Sequence, residues 1–269
     1  TKQWLEIAGE GCDASSPIFI IGQPRTGTTL IERIITARDD VHSAGELQQF
    51  GRAVKSTGGA RAIGMISSEN VRAAAKVVPK ILGDFYMDAT QSLRSDLPYF
   101  VDKLPINFLY APLIAAALPN AKIIHVTRDP MDACFASYKQ LFADAYFYSY
   151  DQAEMARHHV RYRHLMSHYR EVLGDRMIEV AYEDVVSDME GQARRLTNYL
   201  GLEWQDASLE FHKQKTAVTT ASATQVREKV HSRSVGKWRQ FEKELFVMQE
   251  ILNDHKILNY HVFDKVFFV

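Results

Sequence analysis

Apolar positions along the chain fall into two rhythms. Short, nearly continuous apolar runs recur at 17–22, 41–44, 99–101, 121–127 and 177–182. Runs this short, rich in Ile and Val, read as strands buried on both faces of a parallel sheet. Between them the apolar residues return at helical spacing, as with Leu30, Ile31, Ile34 and Ile35 inside 28–37. The same reading predicts helices over 46–54, 69–82 with Ser68 as cap, 106–118, 130–142, 151–173, 190–200 ending at Gly201, and 237–252. The Gly- and Ser-rich stretch 56–64 reads as a surface loop, 212–233 shows no clear period, and an aromatic tail closes the chain at 260–269. Strand followed by helix, five times over, predicts an α/β fold: a three-layer sandwich around a central, mainly parallel five-stranded sheet. Ligands in such sheets bind beyond the carboxyl ends of the strands. That rule directs attention to 22–29, 43–46, 102–105 and 127–132.

Composition narrows this picture. The chain has 269 residues, with 32 Lys and Arg against 33 Asp and Glu, a formal charge of −1. One domain over 1–269 is expected, with 1–16 and 253–269 as peripheral extensions. The balanced charge argues against nucleic acid as a partner. The apolar stretch at 110–126 is broken by Pro112, Pro119, Asn120 and Lys122, so no membrane span is expected. The two cysteines, Cys12 and Cys134, supply neither a disulfide framework nor a Cys-rich zinc site, and no metal is expected. Arg157, His158, His159, Arg161, Arg163, His164, His168 and Arg170 crowd one helix; this reads as a solvated face or as a docking surface for an acidic acceptor.

The chemistry starts at Gly22-Gln23-Pro24-Arg25-Thr26-Gly27-Thr28-Thr29, between the first strand and its helix. The Gly-x4-Gly spacing is that of a phosphate loop (P-loop), whose backbone N–H groups wrap an anion at a helix N-terminus. Thr28 stands where a nucleoside triphosphatase carries its lysine, and Arg25 supplies the cation from inside the loop. Such a loop suits oxyanion oxygens of lower total charge than a triphosphate. Magnesium-assisted γ-phosphoryl transfer is disfavoured.

With these residues the sequence resembles the sulfotransferases that use 3′-phosphoadenosine 5′-phosphosulfate (PAPS), and among them the tyrosylprotein sulfotransferases and related bacterial enzymes. PIFIIGQPRTGTTL, VHSAGEL, DKLPINF, AKIIHVTRDPMDACFASY, VAYEDVVSD and TQVREKVHSRSVGKW stand in family order. The resemblance implies a P-loop fold and PAPS-dependent transfer to an acceptor hydroxyl, with adenosine 3′,5′-bisphosphate leaving. Arg25, Thr26, Gly27, Thr28 and Thr29 would hold the 5′-phosphosulfate and Arg128 the 3′-phosphate. The alternative partners of Arg128 are Asp129 and Asp132. Family members carry a Ser eight residues after this Arg; here that position is Ala136 and Ser137 follows. Adjacent helical residues point about 100° apart, so Ser137 serves the same group only with a shifted helix start.

Lys103 matches a lysine beside the transferred group, its alternative being a pair with Asp102. Glu46 matches the general base of the tyrosylprotein branch, and His42 is the rival base. Tyr182, Gln225, Lys237 and Trp238 would surround the nucleotide, Ser222 would assist the reaction centre, and 216–236 would close over the cofactor. The resemblance also favours a cytoplasmic bacterial protein. A P-loop kinase or nucleotide hydrolase, and a non-catalytic nucleotide-binding module, are the rival readings.

Overall fold

The computed structural model describes every residue except 1, 8, 60–66, 144, 215–227, 229 and 260–269. Its strands are β1 (Pro17–Gly22), β2 (Val41–Ser43), β3 (Tyr99–Asp102), β4 (Lys122–Thr127) and β5 (Met177–Ala181). They form one sheet in the order β2-β3-β1-β4-β5, and each of the four pairings is parallel. β1 lies at the centre, its Phe19 beside Asp102 of β3 and Ile123 of β4. A parallel strand must be covered on both faces, which is why β1 is apolar throughout.

The helices are α1 (Lys2–Ile7), α2 (Thr28–Thr36), α3 (Gln49–Gly58), α4 (Ser68–Ala74), α5 (Pro79–Thr90), α6 (Ala111–Ala117), α7 (Pro130–Tyr138), α8 (Gln152–Leu173), α9 (Tyr182–Ser187), α10 (Met189–Leu200) and α11 (Phe246–Asp254). Phe19 and Ile21 share a core with Phe50 of α3, Tyr86 of α5, Ile114 of α6 and Tyr162 of α8. Ile18 and Ile20 point to the other face, against Ile31 and Ile34 of α2 and Leu196 of α10. The period of two along β1 thus divides the molecule into the three expected layers. Cys134 of α7, Met155 of α8, Trp238 and Met248 of α11 build a third cluster.

Several helix bounds differ from expectation, each for a local reason. The helix expected over 69–82 is two helices, because Pro79 begins α5 and the residue before a proline avoids helical backbone. Ser67, not Ser68, caps α4, its side chain accepting from the Asn70 N–H. The helix expected from 46 begins at Gln49, and α3 runs to Gly58 through residues read as loop. The 106–118 segment is a 3₁₀ turn (Pro105–Tyr110) joined to α6. α7 stops at Tyr138 rather than 142. The last helix is a 3₁₀ turn at Lys237–Phe241 followed by α11. α9 has no counterpart in the expected elements.

Candidate active site

The P-loop leaves β1 through Gly22 and enters α2 at Gly27. Gly27 has φ +100°, and a Cβ there would stand 2.6 Å from Cδ2 of Tyr182, so both backbone shape and contact require glycine. Arg25 is also left-handed, at φ +69°. Thr28 and Thr29 begin α2 and are buried. Three successive carbonyls are tied down. The Thr26 hydroxyl donates to the Gln23 oxygen at 2.8 Å, Ser137 to the Pro24 oxygen at 3.1 Å, and Arg128 to the Arg25 oxygen at 3.0 Å. With these negative dipole ends held, the loop and the N-terminus of α2 can offer N–H groups to an anion. Ser137 therefore reaches the loop's backbone, while Ala136 beside it is buried.

Cations gather at this loop. Arg128 follows β4, donates its second nitrogen to the Ser234 oxygen at 2.5 Å, and lies 4.8 Å from the Tyr182 ring centre. Asp129 and Asp132 are otherwise engaged: Asp129 caps α7 at the Asp132 N–H, and Asp132 accepts from Gly236 at 2.5 Å and Trp238 at 3.3 Å. Burial and then the charge of Arg128 lower the pKa of Arg25. Burial and then Lys237, Arg128 and Arg25 lower that of Lys139. Four cations thus feel one another, an arrangement that favours a bound anion. Among the described residues, Nε of Arg128 and Nε1 of Trp238 are buried without a hydrogen-bond partner. Lys139 was not singled out in the sequence. It lies one residue beyond α7, eleven after Arg128, and only the fold turns it back to the loop.

A second group lies at the ends of β2 and β3. The Lys103 ammonium is buried, 2.5 Å from Glu46 and 3.9 Å from Glu32. Its partner is therefore Glu46 rather than Asp102. Asp102 instead accepts from Tyr86 at 3.0 Å, Asn107 at 3.4 Å and the Leu47 N–H at 3.4 Å. Burial pushes the Asp102 carboxyl up to about 8, against those hydrogen bonds. The Lys103 N–H donates to the Gly45 oxygen at 2.9 Å, so backbone and side chain hold the same turn. Glu46 is at the surface, its side chain 42% exposed above the buried lysine. Glu32, also missed in the sequence, accepts from Ser43 at 2.7 Å. It is four residues after Thr28 on α2 and so shares its face, which brings the Lys103 group alongside the P-loop. Burial, followed by the charge of Glu46, raises the Tyr146 hydroxyl to about 12. His42 is half-buried on β2. Ser222 and Gln225 lie outside the described residues, as does most of the expected closing segment. Its approach is anchored by Gln214, which accepts from Arg33 at 2.6 Å and donates back to the Arg33 oxygen at 2.9 Å.

A cleft of about 720 Å³ opens beyond β4 and β5, bounded on one side by Asp132 and Gly236 of the same region and lined further by Thr127, Glu179, Glu183 and Arg195. Among the described residues no cluster of metal-ligating side chains is present, and no helix is long and apolar enough to cross a membrane.

The family model described as "Sulfotransferase family" matches residues 17–206, more than half of the chain. An uncharacterized protein of Aquifex aeolicus is 34% identical over 255 residues; the match covers 92% of this chain and 34% of that protein. A putative protein-tyrosine sulfotransferase of Caenorhabditis briggsae is 24% identical over 227 residues, covering 82% of this chain and 80% of the relative. Among solved structures, mouse sulfotransferase SULT7A1 complexed with PAP superposes with a TM-score of 0.53 at 13% identity, covering 97% of this chain and 94% of that one. That likeness is one of fold. The chain spans about a third of the Aquifex relative, 34% of its length.

Proposed function

Because the chain belongs to the sulfotransferase family, we propose that it moves the sulfuryl group of PAPS to an acceptor hydroxyl. The observation that carries this reading is the convergence of Arg25, Arg128, Lys139 and Lys237 on a P-loop that has threonine in place of the triphosphatase lysine. One anion at the loop does not need four cations; the donor's separate 3′-phosphate gives the second charge a place.

The residues divide the work. Arg25 and the N–H groups opening α2 at Thr28 and Thr29 bind the 5′-phosphosulfate, with Thr26 bracing the loop. Arg128 and Lys139, with Lys237 at the rim, bind the 3′-phosphate, and the rings of Tyr182 and Trp238 flank the nucleoside. PAPS supplies an activated sulfuryl group: the acceptor oxygen bonds to sulfur as the sulfur–oxygen bond to the leaving bisphosphate breaks. Glu46 takes the acceptor proton. Lys103, held at 2.5 Å from Glu46, offers its charge to oxygens that gain negative charge in the transition state. By the resemblance, Ser222 is assigned to assist the reaction centre and Gln225 to bind the nucleotide. The name carried by the Caenorhabditis relative makes a tyrosine-containing peptide the first acceptor to assay.

Isothermal titration with adenosine 3′,5′-bisphosphate tests the donor site. Arg128→Ala and Lys139→Ala are expected to weaken binding, Arg128→Ala by at least roughly tenfold, the scale of one charge-assisted hydrogen bond. Magnesium–ATP is expected to bind more weakly than the bisphosphate. Tighter binding of magnesium–ATP, or unchanged affinity in Arg128→Ala, would overturn the proposal in favour of a kinase or hydrolase.

A further inference from the structure

We infer that Glu32 is a positioning residue for Lys103: it is the lysine's fixed counter-ion, and Glu46 is the exchangeable one, released when the donor binds. The inference rests on the reading that Lys103 serves the donor's sulfuryl group. Glu32 acts through the lysine and not on the donor itself.

Two carboxylates share one buried charge. Nζ of Lys103, at the end of β3, lies 2.5 Å from Oε1 of Glu46 and 3.9 Å from Oε2 of Glu32. The two differ in their setting. The Glu46 side chain is 42% exposed and the Glu32 side chain 8%. Glu32 stands on α2, the helix that the P-loop enters, and its Oε1 accepts from the Ser43 hydroxyl at 2.7 Å. Glu46 stands in the turn between β2 and α3. Asp102, the next carboxylate along the chain, is taken up by Tyr86, Asn107 and the Leu47 N–H.

The roles of Lys103 and Glu46 require them to part. An ammonium at this distance favours the ionised form of a carboxylate and so weakens it as a base. While the pair stands, Glu46 is a poor acceptor for the proton of an incoming hydroxyl, and one N–H of Lys103 is turned away from the sulfuryl oxygens. Lysine carries three N–H donors on a flexible stem, so an anion seated on the P-loop can take that hydrogen bond from Glu46. The ammonium keeps its three protons in the exchange. Glu46 is left as the stronger base, and the acceptor's proton goes to it. The base is thus switched on only when the donor is in place.

Glu32 makes the exchange feasible. Lys103 is 1% exposed, and a buried ammonium without a counter-ion is costly. Glu32, four residues after Thr28 on α2, holds the charge on the P-loop side through both stages. Without its carboxylate the ammonium would fall back on Glu46, away from the donor.

Titration of two nucleotides in the absence of acceptor tests this. PAPS presents the sulfuryl group to Lys103; adenosine 3′,5′-bisphosphate lacks it. Glu32→Gln keeps the shape and the acceptor for Ser43 and removes the charge. It is expected to weaken PAPS roughly tenfold, the scale of one charge-assisted hydrogen bond, and to leave the bisphosphate at wild-type affinity. Glu32→Asp, which keeps the charge, is expected to recover part of that loss. Glu46→Gln is expected to bind PAPS at least as tightly as the wild type, because no pair has to break. Mere removal of negative charge beside an anion would tighten PAPS in both Gln variants, so the sign in Glu32→Gln decides. If that variant fails to fold, Ser43→Ala, at an exposed position, releases Glu32 from its hydrogen bond and is expected to weaken PAPS with the same selectivity. Tighter or unchanged PAPS in the variant tested, equal weakening of both nucleotides, no recovery in Glu32→Asp, or weaker PAPS in Glu46→Gln would overturn this inference while the donor site stands. A wild type that binds neither nucleotide would overturn the donor reading and this inference together.

Discussion

At the scale of single residues, the site is built from charges held against their preference. Asp102 shows this best. Its side chain is fully buried at the end of β3, and burial lifts its carboxyl from 3.8 to about 8 despite three donors. Between about pH 4 and pH 8 the unfolded chain has therefore released this proton while the folded chain keeps it. Folding takes up a proton across that window, so this group's contribution to stability falls as pH rises. Asp102→Asn keeps an acceptor for Tyr86 and Leu47 and removes the titration. Thermal unfolding followed across the window is expected to show a flatter dependence on pH in Asp102→Asn than in the wild type. An unchanged slope would mean that the Tyr86, Asn107 and Leu47 hydrogen bonds hold Asp102 ionised. Lys103 and Glu46 sit beside this carboxyl, and the Leu47 N–H ties it to the turn that presents Glu46.

At the scale of elements, the turn after β4 is the organising piece. Asp129 caps α7, and α7 then places Asp132 under the 236–238 segment, where it accepts two backbone N–H groups. That segment carries Lys237 and Trp238, and the neighbouring Ser234 oxygen receives Arg128. Asp132→Ala leaves both N–H groups without their partner. It is expected to lower stability by about 1–3 kcal/mol and to weaken adenosine 3′,5′-bisphosphate, although the aspartate would repel that ligand. Denaturant melts and titration on the same sample check both effects. A variant that bound the bisphosphate more tightly would show that Asp132 acts through its charge and not through the segment it holds.

At the scale of the whole molecule, the donor site draws on β1, α2, β4, the residue after α7, and the 234–238 segment. Bisphosphate therefore ties distant parts of the chain together and should stabilise the fold as a unit. At one hundred times the dissociation constant the gain is about 2.7 kcal/mol, several degrees in melting temperature for a chain of this size. Much of that gain is expected to vanish in 1 M salt, where screening acts within about 3 Å. Differential scanning calorimetry at low and high salt is the measurement. A melting temperature indifferent to the bisphosphate at low salt would contradict a site assembled from these elements.

The sheet was legible in the chain because its three central strands, β3, β1 and β4, are short apolar runs closed by Asp102, Gly22 and Thr127, and burial on both faces leaves little else for such runs to do. The P-loop was legible because Gly22 and Gly27 meet backbone demands that no other residue meets well. Arg25 and Arg128 stood out because they follow strands at the edge where ligands bind. Helix bounds were less legible: Pro79 splits one pattern and the 3₁₀ turns blur two others, and both effects are local geometry that apolar spacing does not encode. Lys139 and Glu32 were not legible at all, and Asp132 only as an alternative partner of Arg128. Their roles depend on which charge stands opposite, and that is decided when α7 turns back under the loop and α2 lays Glu32 against Lys103. The buried pair of His125 and Tyr162, with Nε2 of His125 2.5 Å from the Tyr162 hydroxyl, belongs to the same class. A histidine inside an apolar strand and a tyrosine inside a basic helix carry no mark in sequence, and only the packing of α8 across β4 joins them. The sequence by itself determined where backbone and burial demand a residue type; the tertiary structure alone decided which charges meet, because the energy of a charge depends on its neighbours in space.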